Sequence, residues 1–358
     1  MMSIENWIRL AKIENPKKAL ALVEHFGGPD ELFHASAKEL MHVGDIHPRT
    51  VERIQQVAVE PVDKELASLE KVGGKIITYW DENYPANLRQ IFDPPPVLFV
   101  LGELREEDRF AIAVVGTRRP TEYGHSMATK LSRDLARRGL TVVSGLARGI
   151  DTIAHTAAIQ AGRTIAVLGS GIDVPYPYEN RGLMKKISEN GAIISEFAPG
   201  TQPESWRFPV RNRLVSGLAL GVVVIESGVE GGAMITATLA ADQGRDVWAV
   251  PGPTDSATSQ GTHKLIKEGA KLIEHAEDVL EDLGIEAEST GRDRQGIPSN
   301  LTTEQKAILQ VLNLHPKHVD EIIGECKLTA ATANSALTIL EMLGLIRRVP
   351  GNAYVRAV

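Results

Sequence analysis

Five glycine-rich turns, each following a short apolar run, hold most of the residues able to do chemistry. They read Gly116-Thr117-Arg118-Arg119-Pro120, Ser144-Gly145-Leu146-Ala147-Arg148-Gly149-Ile150-Asp151 and Gly169-Ser170-Gly171-Ile172-Asp173. A long segment then runs from Ala198-Pro199-Gly200 to Phe208-Pro209-Val210-Arg211-Asn212-Arg213, and the last turn is Glu226-Ser227-Gly228 with Gly231-Gly232. Glycine lets backbone amides approach a ligand closely, and amides at helix N-termini attract anions. Arginine adds bidentate contacts to phosphate oxygens. Arg118, Arg148, Arg211 and Arg213 are therefore candidates for a groove that holds a polyanion, with Gly116, Thr117, Ser144 and Gly145 in the turns beside them. One such turn is routine in any α/β protein; several on one rim point to anion binding. Trp206, Arg207 and Phe208 interleave rings with charge, as a base-stacking surface requires, although the same rings can equally anchor the loop on the core.

Other chemistries find little support. No GxGxxG follows the first strand, no acidic residue stands where a ribose would need one, and no Walker GxxxxGK[ST] occurs. GxSxG and HExxH are absent as well. Asp151 and His155 lie one helical turn apart and can form a carboxylate–imidazole pair, but the reading preferred here is an Asp at a helix N-cap and a packed His. Glu226 sits at a strand end with no second carboxylate at a useful spacing, so it serves as well to bond amides or pair with an arginine. Cys326, the single cysteine, has no evident base nearby and reads as a core residue. The expectation is a binding protein without catalytic residues, cofactor or metal.

These turns need a scaffold. From residue 111 the chain alternates strand, turn and helix, with expected strands over 111–115, 141–143, 164–168, 192–195, 222–225 and 246–250. They are apolar on both faces, which argues for a parallel sheet covered on both sides, the doubly wound α/β pattern. In such sheets ligands bind at the C-terminal ends of the strands. Strand order is not legible. Residues 4–72 carry helical spacing through Ile4, Ile8, Leu20, Val23, Leu32, Leu40, Val51 and Ile54. Strands are expected at 76–80 and 97–100, around the stiff Asp93-Pro94-Pro95-Pro96. The polar stretch 285–300 reads as a flexible linker. Beyond it, helices near 302–312, 319–326 and 330–343 and a hairpin over 346–355 spell a small winged helix-turn-helix. The domains expected are thus 1–72 helical, 73–284 α/β, 285–300 linker and 301–358 winged helix.

At 358 residues the chain is long enough for two or three domains at roughly 150 residues each. Its net charge of −7 excludes a polybasic DNA-coating protein but leaves room for a local basic groove. One cysteine excludes a disulfide framework. The N-terminus lacks a signal-peptide pattern, and the longest apolar run, 214–225, is too short for a membrane span. A cytoplasmic protein without membrane insertion is expected. The second and third helices of the winged helix suggest duplex DNA, yet 329–343 contains no Lys or Arg and only Glu341. Since phosphate neutralisation drives DNA affinity, a protein contact or an auxiliary DNA role is the reading preferred for this domain.

Taken together the turns resemble the DNA processing protein A family (DprA, also called Smf). The resemblance rests on Val114–Gly124, on Val143-Ser-Gly-Leu-Ala-Arg-Gly-Ile-Asp151 with Ala154-His155, on Tyr176-Pro177 and Ser195-Glu196, and on Phe208-Pro-Val-Arg-Asn-Arg-Leu-Val-Ser-Gly-Leu218. Thr236-Ala237, Val250-Pro251-Gly252 and Gly269-Ala270 extend it. It implies an extended Rossmann-like domain that binds single-stranded DNA, protects incoming strands in natural transformation, loads the RecA recombinase, tends to form homodimers and is no known enzyme. The family's DNA-binding positions fall on Arg118, Phe208, Arg211 and Asn212. Gly232 stands where many members have Ser, and His263 where Asn is usual. The N-terminal region resembles the family's sterile-alpha-motif-like or helix-hairpin-helix-like domain, although Val43-Gly44-Asp45-Ile46 lacks the second glycine of a hairpin. Two alternatives compete: a phosphoribohydrolase of the lysine-decarboxylase-like group, whose Pro-Gly-Gly-x-Gly-Thr-x-x-Glu motif is missing, and a winged-helix transcription regulator that senses a nucleotide.

Overall fold

The computed structural model describes residues 3–13, 15–43, 46–285, 301–313, 316–343, 345–349 and 351–356. One compact unit takes in the described residues up to Pro120 together with Ala128–Val279; a second takes in Thr121–Met127 and the described residues from Leu280 onward. The expected linker falls almost wholly outside the described residues.

Six short helices open the chain: α1 (Ile4–Leu10), α2 (Pro16–Phe26), α3 (Pro29–His34), α4 (Ala37–His42), α5 (Pro48–Val59) and α6 (Asp63–Val72). Local chemistry sets their ends. Asn15 and Ser36 cap α2 and α4 through their side chains, and Gly27 and Gly73 close α2 and α6 in the left-handed conformation. The expected apolar positions are buried, apart from Ile4, which is half exposed at the start of α1. Ile8, Leu32, Leu40 and Ile54 share one apolar cluster with Phe99, Leu168, Ile172 and Ile193 of the sheet region, so these helices and one sheet face exclude water together.

The sheet contains β1 (Lys75–Thr78), β2 (Val97–Gly102), β3 (Ala111–Val115), β4 (Thr141–Ser144), β5 (Thr164–Val167), β6 (Ala192–Ser195), β7 (Gly221–Val224), β8 (Asp246–Ala249) and β9 (Lys271–Leu272). Its order is β1-β2-β6-β5-β4-β3-β7-β8-β9. From β6 to β9 all neighbours are parallel, while β2 joins β6 and β1 joins β2 antiparallel. β3 to β7 have every residue buried, the signature of a sheet covered on both faces. β1 ends at Thr78, before the expected Tyr79-Trp80, and the short β9 had no apolar run to announce it. The connecting helices are α7 (Ala86–Arg89), α8 (Glu122–Arg137), α9 (Ile150–Ile159), α10 (Arg181–Asn190), α11 (Arg207–Leu218), α12 (Gly232–Asp242), α13 (Gln260–Lys267) and α14 (Ala276–Asp282). After β3 the chain builds outward through β4, β5 and β6, then returns to place β7 on the other side of β3. This reversal is a topological switch point, where open α/β sheets bind ligands.

The second unit contains α15 (Thr303–Val311), β10 (Lys317–His318), α16 (Val319–Cys326), α17 (Ala330–Met342), β11 (Ile346–Val349) and β12 (Ala353–Arg356). The strands order as β10-β12-β11, giving three helices and a wing around Ile308, Ile322, Leu337 and Leu340. Among the described residues no helix is long and apolar enough to cross a membrane, and no cluster of His, Cys, Asp and Glu is arranged to hold a metal.

Candidate nucleic-acid interface

A groove of about 550 Å³ opens at the C-terminal ends of β3, β4 and β7, lined among others by Gly116, Thr117, Arg118, Gly145, Phe208, Arg211, Asn212 and Ser227. Each wall has a local cause. After β3, the Thr117 amide donates to the Glu226 carbonyl at 2.7 Å, and the Thr117 carbonyl accepts from the Ile150 amide at 3.1 Å. The turn carrying Arg118 is therefore pinned between the end of β7 and the start of α9. Gly149 makes this close approach possible: it has φ +76°, and a Cβ there would lie 2.3 Å from the Thr117 carbonyl oxygen.

After β4, Gly145 and Ala147 donate their amides to Asp151 Oδ2 at 3.1 and 3.3 Å. Between them Leu146 is buried in the left-handed region at φ 56°, and its carbonyl accepts from Asn180 Nδ2 at 2.9 Å. Asp151 thus fastens the turn. It is not the N-cap of α9, a place taken by Gly149. Nor does it pair with His155, whose Nδ1 meets Thr164 Oγ1 at 2.7 Å. Burial holds that imidazole neutral, with its pKa pushed down to about 3.

The long segment after β6 ends in a helix where sequence reasoning placed a turn. α11 lays Phe208, Arg211, Asn212 and Val215 on one face, at i, i+3, i+4 and i+7, and this face lines the groove. Arg211 is only 5% exposed. Its Nη1 donates to the Gly145 carbonyl at 2.5 Å and also to the Val167 carbonyl. Burial lowers its pKa to about 10, opposed by Asp151, while burial raises the Asp151 carboxyl, opposed by Arg211. Arg211 is the charged floor of the groove and also a tie between strand ends. Arg213, two residues on, faces away. It ion-pairs with Glu196, donates to the Asp93 carbonyl at 2.7 Å, and is buried. The shared rim of four arginines therefore reduces to three, because a two-residue step on a helix turns a side chain to the opposite side.

Arg118 is exposed, with its guanidinium 5.9 Å from the Phe208 ring centroid. Tyr176 stacks on the other ring of this group: its centroid lies 5.4 Å from that of Phe208 at an interplanar angle of 28°, and it is 39% exposed. In the sequence the only signal for Tyr176 is that it is an aromatic in the loop after β5, on the same rim. Trp206 is separated from Phe208. It contacts Phe197 edge-on and donates to Glu204 Oε2 at 2.7 Å, in a different cavity. Arg148 lines a recess beside Arg118, Tyr176 and Phe208. Ser144 is fully buried and donates to the Val114 carbonyl at 2.6 Å, so its hydroxyl ties two strands and stays out of the groove. Glu226 is buried beneath the Thr117 amide. On the far wall the N-terminus of α12 lines the groove with Gly231, Gly232 and Ala233; the Gly231 amide donates to the Gly228 carbonyl at 3.0 Å, and the amides of the helix's first turn that follow it suit an anion. Gly232 faces open space, so a serine would fit there, and His263 Nε2 lies 3.0 Å from the Gly252 carbonyl.

A doubly wound sheet with an arginine- and ring-lined groove at its switch point, accompanied by a winged helix, defines the class of this protein. The chain belongs to the DNA recombination-mediator protein A family, whose pattern matches residues 75–284; the DprA winged helix domain matches residues 293–352. It is 32% identical over 390 residues to Protein Smf of Synechocystis sp., covering 98% of both chains. It is 42% identical over 220 residues to the DNA processing protein DprA of Bacillus subtilis, covering 61% of this chain and 74% of the relative. Among solved structures, DNA processing protein A of Streptococcus pneumoniae aligns with a TM-score of 0.68 at 35% identity, over 79% of this chain and 99% of that one. The Helicobacter pylori protein, solved for its single-stranded DNA binding mode, aligns with a TM-score of 0.54 at 31% identity, over 59% of this chain and 95% of that one.

Proposed function

We propose that this protein binds single-stranded DNA along the groove at the ends of β3, β4 and β7. On this reading it protects incoming strands and loads RecA on them during natural transformation, acting as a cytoplasmic homodimer. The observation that carries the reading is the placement of exposed Arg118 beside the stacked Tyr176 and Phe208. A single strand presents phosphates and unstacked bases together, and charge next to an open ring serves both. Gly116, Thr117, Gly145, Arg148, Arg211 and Asn212 complete the contact surface, with Ser144 and Arg213 as its scaffold. Membership of a recombination-mediator family supports the pathway, and the single-strand binding of the Helicobacter pylori relative supports the polymer. No catalytic step is assigned: Asp151 and His155 are committed to a turn and a core contact. The modules proposed are 1–72, 73–284 and 301–358, joined by 285–300.

The test is RecA nucleation on a strand already coated with single-strand-binding protein, followed by RecA-dependent ATP hydrolysis. The protein is expected to shorten the lag. An unchanged lag at saturating protein, with strand binding intact, overturns the RecA step alone.

A further inference from the structure

Arg148 differs from Arg118 because an exposed carboxylate already holds it. Its Nε and Nη2 engage Glu179 Oε1 and Oε2, the second at 3.2 Å, in a two-pronged pair. Both side chains are more than half exposed, which for most surface pairs would mean little. Here the partners are positioned. Asn180, next to Glu179, donates from Nδ2 to the Leu146 carbonyl at 2.9 Å and to Thr152 Oγ1 at 2.8 Å. Thr152 Oγ1 in turn donates to the Ala147 carbonyl at 2.6 Å. The loop bearing Tyr176 and Glu179 is thereby stapled to the turn bearing Arg148. The recess that Arg148 lines also contains Arg118, Tyr176 and Phe208, whereas Arg118 has no acidic partner among the described residues.

We propose that Glu179 is an affinity-setting residue: its carboxylate occupies the Arg148 guanidinium where a strand phosphate would bind, and must be displaced for full engagement. The inference rests on the single-strand reading above. While Glu179 holds the Arg148 guanidinium, one phosphate fewer is neutralised and one counterion fewer is released from the strand. Glu179 therefore lowers both the affinity and its salt dependence.

The experiment is fluorescence anisotropy of the full chain with labelled oligo(dT) over a salt series. Five proteins are compared: wild type, Glu179→Gln, Arg148→Ala, the double variant and, as a reference, Arg118→Ala. Glu179→Gln is expected to bind about two- to fivefold more tightly at low salt, the most that an exposed pair of up to about 1 kcal/mol allows. Its slope of log K against log salt is expected to steepen by about 0.7, one extra phosphate on a single strand. In the Arg148→Ala background the same change is expected to do nothing. An equal gain in that background means a general field effect and overturns the inference, as does unaltered affinity in Glu179→Gln. Absence of any wild-type binding overturns instead the single-strand reading on which it rests.

Discussion

Replacing Arg211 by alanine separates a surface phosphate contact from a structural tie. Arg211 is 5% exposed, and its guanidinium donates to the Gly145 and Val167 carbonyls and interacts with the charge of the buried Asp151. Alanine leaves those two carbonyls without their donor and Asp151 without its cation. Removing one partner of a buried charged pair costs about 3–5 kcal/mol. In a unit of this size each 1 kcal/mol moves Tm by about 2–4 °C, so Arg211→Ala is expected to melt about 6–20 °C below wild type. Asp151→Asn in the same chain removes the stranded carboxylate and restores part of the loss, giving a coupling of more than about 1 kcal/mol in a double-mutant cycle. The assay is thermal unfolding followed by circular dichroism, with urea unfolding for the double-mutant cycle and strand binding measured below the transition. Melting of Arg211→Ala within 2 °C or so of wild type, or strictly additive single and double variants, would refute the assignment of Arg211 as a tie.

Three other outcomes follow from the same geometry. Tyr176→Ala is expected to weaken single-strand binding by about 1–3 kcal/mol, the range for one base–aromatic stack, with Tm unchanged; Tyr176→Phe should bind normally, and equal binding of wild type and Tyr176→Ala in anisotropy excludes the stack. Gly149→Ala places a Cβ 2.3 Å from the Thr117 carbonyl oxygen at φ +76°; it should lower stability by more than 1 kcal/mol or so and weaken binding, because the Arg118 turn must move, and a wild-type denaturation midpoint argues against that turn geometry. His155 is neutral in the fold, with a pKa of about 3 against an ordinary 6.5. Its contribution is complete above pH 6.5 and is lost as pH falls toward 3, the loss reaching roughly 3 kcal/mol by pH 4.5. Glu196, pushed up to about 7 by burial, acts in the opposite direction over the same range. The informative quantity is therefore the gap between wild type and His155→Gln, which should shrink by about 2–3 kcal/mol between pH 6.5 and 4.5; a constant gap excludes a buried neutral imidazole.

The strands were legible because short runs of Val, Ile and Ala with few polar breaks recur at β3, β4, β5, β6 and β7, and the turns because glycine follows the strand ends. The rim was legible for the same reason: a parallel sheet puts those turns at one edge. α11 was not. Pro209 stands in its first turn, where a helix tolerates it, and Arg211 and Arg213–Leu218 are all buried. With almost every side covered, no amphipathic period marks the helix. Arg213 was misplaced because its partners, Asp93 and Glu196, lie 120 and 17 residues away in sequence. Likewise the Asp151 carboxylate looked like a cap because its hydrogen-bond partners, Gly145 and Ala147, precede it in the turn. Strand order, and with it the switch point, depends on long-range pairing that no local pattern encodes.

Arg118 stands exposed at the groove for which single-strand binding is proposed. Fluorescence anisotropy with single-stranded and duplex oligonucleotides of equal length, over a salt series, tests it on wild type and Arg118→Ala. The account predicts strong preference for the single strand, and in Arg118→Ala an unchanged Tm with weaker binding and a salt slope shallower by about 0.7. Equal binding of both polymers, or an Arg118→Ala variant with wild-type affinity and slope, would contradict it.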